Sequence, residues 1–217
     1  MSTVRIVIFA KAPRPGQAKT RLIPALGAAG AAALAERMLL QTVRQTELAQ
    51  LGRVELCCTP RDDPAWRRLN LPESLRMTEQ GTGSLGERMA RASQRVLSAH
   101  ESVLLIGTDC PGLTAERLRE VAKALRTSDA VMVPAVDGGY VAIGLRRFDP
   151  RVFEDIPWGT SEVAARTLAR FTLLRWRHHV LAAEHDIDEP SDLQHLPNTW
   201  RTPPGTRTTS LPGSAEP

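Results

Sequence analysis

Cysteine, lysine and aromatic residues are all scarce in this chain, and each shortage removes a class of function. Three cysteines in 217 residues cannot build a disulfide scaffold, since Cys57 and Cys58 are neighbours and Cys110 stands alone. No C-x-x-C pair is present to seed a zinc site. The chain therefore reads as a protein of a reducing, cytoplasmic compartment. Lysine occurs only at positions 11, 19 and 123, the other basic residues are scattered arginines, and the net charge is only +4. One tyrosine and four phenylalanines offer little for base stacking, so no nucleic-acid partner is expected. Long apolar runs are missing as well. The first, at residues 4–10, carries Arg5 and falls far short of the roughly 20 residues a membrane span needs, so it reads as a strand and no membrane span is expected.

What is present is the composition of one ordinary globular domain, 42% hydrophobic and 24% charged. Apolar periodicity alternates between strand-length runs and helical stripes, the pattern of an α/β domain with a mostly parallel sheet. Strands are expected near 4–10, 53–59, 74–79, 102–107, 129–136, 139–145 and 174–181. Leu118, Val121, Ala122 and Leu125 form one helical stripe, and Val163, Ala164, Thr167, Leu168 and Phe171 another. An Ala-rich helix is expected from about 28 to 49, and Ser84-Leu85-Gly86-Glu87 has the form of a capping box that opens a fourth. Asp137-Gly138-Gly139 is too short for a parallel crossover, so an antiparallel excursion is expected there. Residues 1–196 are expected to form the domain, and 197–217, rich in Pro, Thr, Gly and Ser, a disordered tail.

In an open α/β sheet, ligands bind beyond the carboxyl ends of the strands, which singles out four loops. The first, K-A-P-R-P-G-Q-A-K-T-R-L at 11–22, gathers cations on a frame stiffened by Pro13 and Pro15 and turned at Gly16. Such a loop suits a di- or triphosphate. It is not a Walker A loop, because Ala18 rather than glycine precedes Lys19-Thr20; an ordinary basic surface loop is the alternative. The second, Gly81-Thr82-Gly83-Ser84-Leu85-Gly86, is a literal G-x-G-x-x-G between an expected strand and helix. It reads either as a nicotinamide or flavin fingerprint or as a backbone contact with a nucleotide base or ribose. The third ends a buried strand in Asp109, a lone carboxylate that suits Mg²⁺ or Mn²⁺ or, alternatively, caps the next helix. Cys110 beside it reads as a bystander. In the fourth, Asp186 and Asp188 project the same way if the chain is extended, offering the ion a second carboxylate, although Asp188 or Ser191 could cap a helix instead. His178 and His179, adjacent on a strand, are expected to face opposite sides, one towards the core and one outwards.

Taken in order, the segment at 11–22, G-S-L-G-E-R-M at 83–89, G-T-D-C-P at 107–111, D-G-G-Y at 137–140, W-G-T at 158–160 and D-I-D-E-P-S-D-L at 186–193 carry a resemblance. They resemble a family of bacterial glycosyltransferase-like proteins in the nucleotide-diphospho-sugar transferase superfamily, some of them associated with arsenosugar biosynthesis. The match runs over residues 4–196 and departs from the pattern at Ser84, Ala142 and Glu189. It implies a GT-A type fold, a Rossmann-like α/β/α sandwich with a mostly parallel sheet and an antiparallel excursion. It further implies donor phosphates on Lys11, Gly16, Lys19, Thr20 and Arg21, donor contacts from Gly83, Leu85 and Gly86, and Mg²⁺ or Mn²⁺ on Asp109 and Asp188. Asp137, Gly138, Gly139, Tyr140, Trp158 and Thr160 would form the side that receives a small-molecule acceptor, with Asp137 as general base and Trp158 alternatively a core aromatic. Asp109, Lys19 and Asp137 are thus the catalytic candidates.

The implied activity is metal-dependent sugar transfer from a nucleotide-diphospho-sugar. The alternatives are nucleotidyl transfer from a nucleoside triphosphate with release of pyrophosphate, and nucleotide binding without turnover. The basic loop serves either chemistry, because both need fixed cations and a divalent ion to neutralise charge on a diphosphate or pyrophosphate. Both also require that Lys19 and Asp109 reach one polyphosphate. Oligomeric state leaves no mark on the sequence.

Overall fold

The computed structural model of the chain describes residues 3–99 and 101–201. Seven strands make one sheet: β1 (Val4–Lys11), β2 (Val54–Thr59), β3 (Arg76–Glu79), β4 (Ser102–Ile106), β5 (Ala130–Pro134), β6 (Tyr140–Leu145) and β7 (His178–Val180), in the order β3-β2-β1-β4-β6-β5-β7. The central strands β1 and β4 are apolar almost throughout and buried on both faces, as parallel strands between helical layers must be. β6 runs antiparallel to both β4 and β5, because the 135–139 connection has no length for a crossover. This is the expected antiparallel excursion in an otherwise parallel sheet.

α1 (Ile23–Ala49) and α3 (Ala115–Leu125) cover one face, where Leu39, Val43, Leu118, Val121 and Leu125 pack on Ile6, Ile8 and Leu104. α2 (Leu85–Leu97) and α4 (Val163–Leu173) cover the other, with Met89, Val96 and Phe171 against Val7, Leu105 and Ile143. The result is the α/β/α sandwich. α1 breaks at Gly27, whose φ of +69° lies outside helical space, so regular helix begins where the Ala-rich pattern places it. By length and composition alone, residues 20–49 could cross a membrane, with a window of mean hydropathy 1.3. Here the helix lays one face on the sheet and is tied to α3, because Gln45 accepts the Ala115 N–H at 2.8 Å and Arg119 donates to the carbonyls of Leu48 and Ala49. The latter two belong to a helix end that lacks partners of its own.

Two expectations, the extent of the last strand and the facing of its histidines, need correction. Of the strand expected at 174–181 only His178–Val180 pairs, because α4 runs to Leu173 and the chain turns at Arg175 with φ +54°. His178 and His179 are both exposed, since β7 is an edge strand with a single neighbour. Within the stretch expected to be a tail, a helical turn α5 (Asn198–Arg201) stacks Trp200 under Arg37 at 4.4 Å. Residues 202–217 lie outside the described residues.

Candidate active site at the carboxyl edge of the sheet

β1 pairs with β2 on one side and β4 on the other, so chain order reverses between β1 and β4. Loops leaving two strands at such a switch point open a crevice, and here they are the basic loop after β1 and the Asp109 loop after β4. Gly16 turns the first of these with φ +77° in open space. Lys19 also takes a left-handed conformation, φ +47°, which a residue with a Cβ seldom adopts. Its side chain is only 6% exposed, and Nζ lies 2.9 Å from Oδ1 of both Asp109 and Asp188. Burial alone would pull the Lys19 ammonium down, but the two carboxylates outweigh it and the net displacement is upward. The ammonium therefore stays charged across neutral pH, and the stability it contributes is lost only as pH rises through its own raised value.

The other cations of the loop take different positions. Arg21 reaches Asp188 Oδ2 at 3.2 Å. Arg14 is held by Asp63, a carboxylate 4% exposed that also accepts the Ala65 N–H. Lys11 and Thr20 are exposed, and no ion pair of Lys11 is found among the described residues.

Asp188 arrives at Lys19 because of the residue before it. Ile187 is fully buried with Leu22, Ala31 and Met38, and its N–H donates to the Asp109 carbonyl at 2.9 Å. Alternation along the extended D-I-D segment then turns Asp186 and Asp188 away from that cluster. Burial raises the Asp186 carboxyl, Asp137 and Asp188 push it further, and Lys19 opposes them, so these charges share one small region. The capping alternatives fail. Thr114 caps α3, and Glu189 with Asp192 caps the turn Pro190–His195, leaving Asp109 and Asp188 free for the site.

No three His, Cys, Asp or Glu side chains among the described residues form a metal cage. Two carboxylates that meet at one point are nevertheless the usual protein contribution to Mg²⁺ or Mn²⁺, whose remaining positions go to water and phosphate oxygens. Asp109 and Asp188 fit that group. Cys110 does not compete as a nucleophile, since burial pushes its thiol up to about 12.

Around the G-x-G-x-x-G loop the side chains serve mainly the loop itself. Ser84 accepts the Glu87 N–H at 3.3 Å and Glu87 accepts the Ser84 N–H at 2.6 Å, completing the expected capping box. Arg88 donates to the Gly83 carbonyl at 2.9 Å, and Arg91 to those of Gln80 and Thr82. Leu85 is exposed. Gly86 has no room for a side chain, as a Cβ there would come within 2.6 Å of the Phe153 carbonyl and 2.7 Å of Trp158 Nε1. The loop follows edge strand β3 rather than a strand at the switch point, where a dinucleotide fingerprint belongs.

Adjoining it through Trp158, the D-G-G-Y turn docks on the W-G-T segment and the residues just after it. Gly138, at φ +94°, would place a Cβ 2.1 Å from the Ser161 carbonyl, and its own carbonyl accepts the Ala164 N–H at 2.9 Å. Asp137 is exposed and accepts the Gly139 N–H at 2.8 Å. Thr160 donates to the Pro157 carbonyl at 2.8 Å. The Tyr140 hydroxyl points inward, 4.0 Å from Met89 Sδ and bonded with Thr167, and burial raises it well above the usual phenol range. Its ring meets Trp158 edge-on at 6.2 Å. Tyr140 is therefore a brace beneath the turn expected to face the acceptor, and Trp158 is half-buried against the same core. A Gly138→Ala protein should lose roughly 2–3 kcal/mol, from the left-handed penalty plus the clash. Thermal unfolding would show a midpoint lower by about 6 °C.

Sequence reasoning passed over Asp63, Gln80 and Ile187. Asp63-Pro64 carried a signal, a capping residue before a proline at the first helical position. Gln80 carried none. It is 5% exposed and clamps the strand ends by donating to the carbonyls of Ala10 and Cys57 at 3.1 and 3.0 Å. A cavity of about 520 Å³ lies instead at the amino-terminal edge, among Arg5, Gln50, Glu55 and Arg76. It is remote from the convergence at Lys19, which marks the candidate site because it joins opposite charges from three loops.

Over 96% of its length the chain is similar to 92% of a crystal structure from Desulfovibrio desulfuricans G20 described as a "putative nucleotide-diphospho-sugar transferase", at 30% identity and a TM-score of 0.84. More distant likeness, in the fold alone, extends to CMP:2-keto-3-deoxy-manno-octonic acid synthetase complexed with CTP (13% identity, 89% of this chain and 96% of that one, TM-score 0.55). It extends also to Rv0371c in complex with manganese from Mycobacterium tuberculosis H37Rv (18%, 90% and 98%, 0.52). No curated protein matches the sequence. The fold and the likeness to the Desulfovibrio protein place the chain among the transferases of the nucleotide-diphospho-sugar transferase superfamily. Within it, the chain belongs to the family DUF2064, described as "Uncharacterized protein conserved in bacteria", whose model matches residues 42–160.

Proposed function

We propose that the protein is a metal-dependent glycosyltransferase-like enzyme that moves a sugar from a nucleotide-diphospho-sugar to a small-molecule acceptor. The observation that carries this reading is the meeting of Lys19, Asp109 and Asp188 within 2.9 Å at the switch point. The donor diphosphate lies along the 11–21 loop, where Lys11, Lys19 and Arg21 supply positive charge and Gly16 and Thr20 supply backbone. The exposed Gly83 and Leu85 face the nucleoside, and Gly86 holds their loop close against Phe153 and Trp158. Asp109 and Asp188 would hold Mg²⁺ or Mn²⁺, which when bound neutralises charge developing on the departing diphosphate. Fixed cations in a partly dry crevice add to this without reorganising at the moment of transfer. Asp137, exposed in the D-G-G-Y turn, takes the proton of the acceptor hydroxyl, with Gly138, Gly139 and Thr160 framing it and Tyr140 and Trp158 bracing it from beneath. The description of the Desulfovibrio relative supports the donor class, and the manganese of a distant neighbour supports the ion. Three free, buried thiols accord with a cytoplasmic protein.

The second reading is nucleotidyl transfer, favoured by neighbours such as the CTP-bound synthetase. A panel of nucleotide sugars and nucleoside triphosphates, each with and without Mn²⁺ or Mg²⁺, separates the two. Sugar transfer predicts nucleoside diphosphate released from a nucleotide sugar only when metal is present. Pyrophosphate released from a triphosphate, with nucleotide sugars untouched, puts nucleotidyl transfer in its place. Protection against heat without any turnover makes the protein a nucleotide-binding module.

A further inference from the structure

The two carboxylates of the candidate metal site are already bridged by a cation of the chain itself. Lys19 Nζ sits 2.9 Å from each, and its side chain is 6% exposed while those of Asp109 and Asp188 are 49% and 42% exposed. An ion that draws on both carboxylates needs the place this ammonium fills, and two cations repel too strongly to share it. The carboxylates are held in position by the backbone. The Ile187 N–H ties the fourth loop to the Asp109 carbonyl at 2.9 Å, and Asp192 accepts the Asp188 N–H at 3.0 Å. The part free to move is the flexible stem of the lysine, whose ammonium is not committed to one geometry as a guanidinium fork would be.

We propose that Lys19 is the counter-ion with which a divalent ion must compete for the two carboxylates, filling that place and leaving it only when a polyphosphate offers the ammonium other oxygens. Metal and diphosphate therefore load together. Each alone must displace an ion pair, whereas the two together give every charge a partner, which is a positive coupling between the ligands. This rests on the reading of Asp109 and Asp188 as the metal's ligands. Removing the lysine charge leaves the two carboxylates that now share it facing one point, and so creates a site that takes the metal unaided.

The test is binding of Mn²⁺ alone, followed by loss of the spin-resonance signal of the free ion, to the wild type and to Lys19→Met. The variant should bind at least tenfold more tightly. Equal affinity, or no binding by either protein, overturns the proposal. A second measurement needs no variant: the thermal shift of the wild type with Mn²⁺, with inorganic pyrophosphate and with both. The joint shift should exceed the sum of the separate ones, and simple additivity overturns the proposal even if Lys19→Met fails to fold. Tighter Mn²⁺ binding by Lys19→Met, with no turnover of any nucleotide sugar by the wild type, would sustain the counter-ion role and reject sugar transfer. Metal-dependent turnover by the wild type with no such gain in the variant would do the reverse.

Discussion

Asp109→Ala should fold normally and lose roughly 10³-fold in turnover of whichever nucleotide substrate the wild type uses. The argument for the loss is positional. Asp109 ends β4 at the switch point, and without it Asp188 alone faces the ion that must neutralise a multiply charged leaving group. The argument for intact folding is that half of its side chain is exposed, that Thr114 rather than Asp109 caps α3, and that Lys19 keeps Asp188 as a partner. Because the Asp109 carboxylate is half exposed and the buried Lys19 ammonium keeps Asp188, the loss of stability should be about 1 kcal/mol and the unfolding midpoint should stay within about 3 °C of wild type. Steady-state turnover and a thermal melt on the same preparation decide it. Full turnover in a folded variant would remove Asp109 from the mechanism.

Glu55→Ala should do the opposite, weakening the fold and sparing the chemistry. Glu55 is 1% exposed in β2 and joins three other elements: Arg95 of α2 grips both its oxygens, Arg5 of β1 approaches at 3.7 Å, and Thr78 of β3 donates at 3.2 Å. Arg5 is itself 8% exposed and keeps a second partner in Glu101 at 2.6 Å. Removing one member of a buried charge network leaves the others desolvated and underpaired, at a cost of roughly 3 kcal/mol. The midpoint should fall by about 9 °C. The network lies toward the amino-terminal edge of the sheet, away from Asp109, so turnover per folded molecule should not change. A melt shifted by less than a couple of degrees would show that Glu101 and solvent suffice to carry the arginines.

Periodicity within a few residues was enough to recover the elements. The stripes at 118–125 and 163–171 became α3 and α4, and the capping box at Ser84 opened α2 with both of its hydrogen bonds. The short Asp137-Gly138-Gly139 link foretold an antiparallel return, because chain length by itself forbids a crossover. The candidate site was legible as a set of loops but not as an arrangement. Lys19 was read as a free cation for phosphate, whereas it is buried between two aspartates, one of them 169 residues away. Tyr140 was placed on the acceptor side by its motif alone, and only packing shows that its hydroxyl turns inward to Met89 while its ring meets Trp158.

The sequence by itself determined the alternation of strands and helices, the antiparallel return and the placing of Asp109 and Asp188 in loops that follow β4 and β7, since these follow from side-chain period, turn length and capping, all local properties. Only the tertiary structure decided which charges meet. The burial of Ile187 among Leu22, Ala31 and Met38 swings Asp188 onto Lys19, and Gly86 and Gly138 are required by neighbours that come from elsewhere in the chain. Such contacts depend on how the layers close over one another, and no local pattern records that.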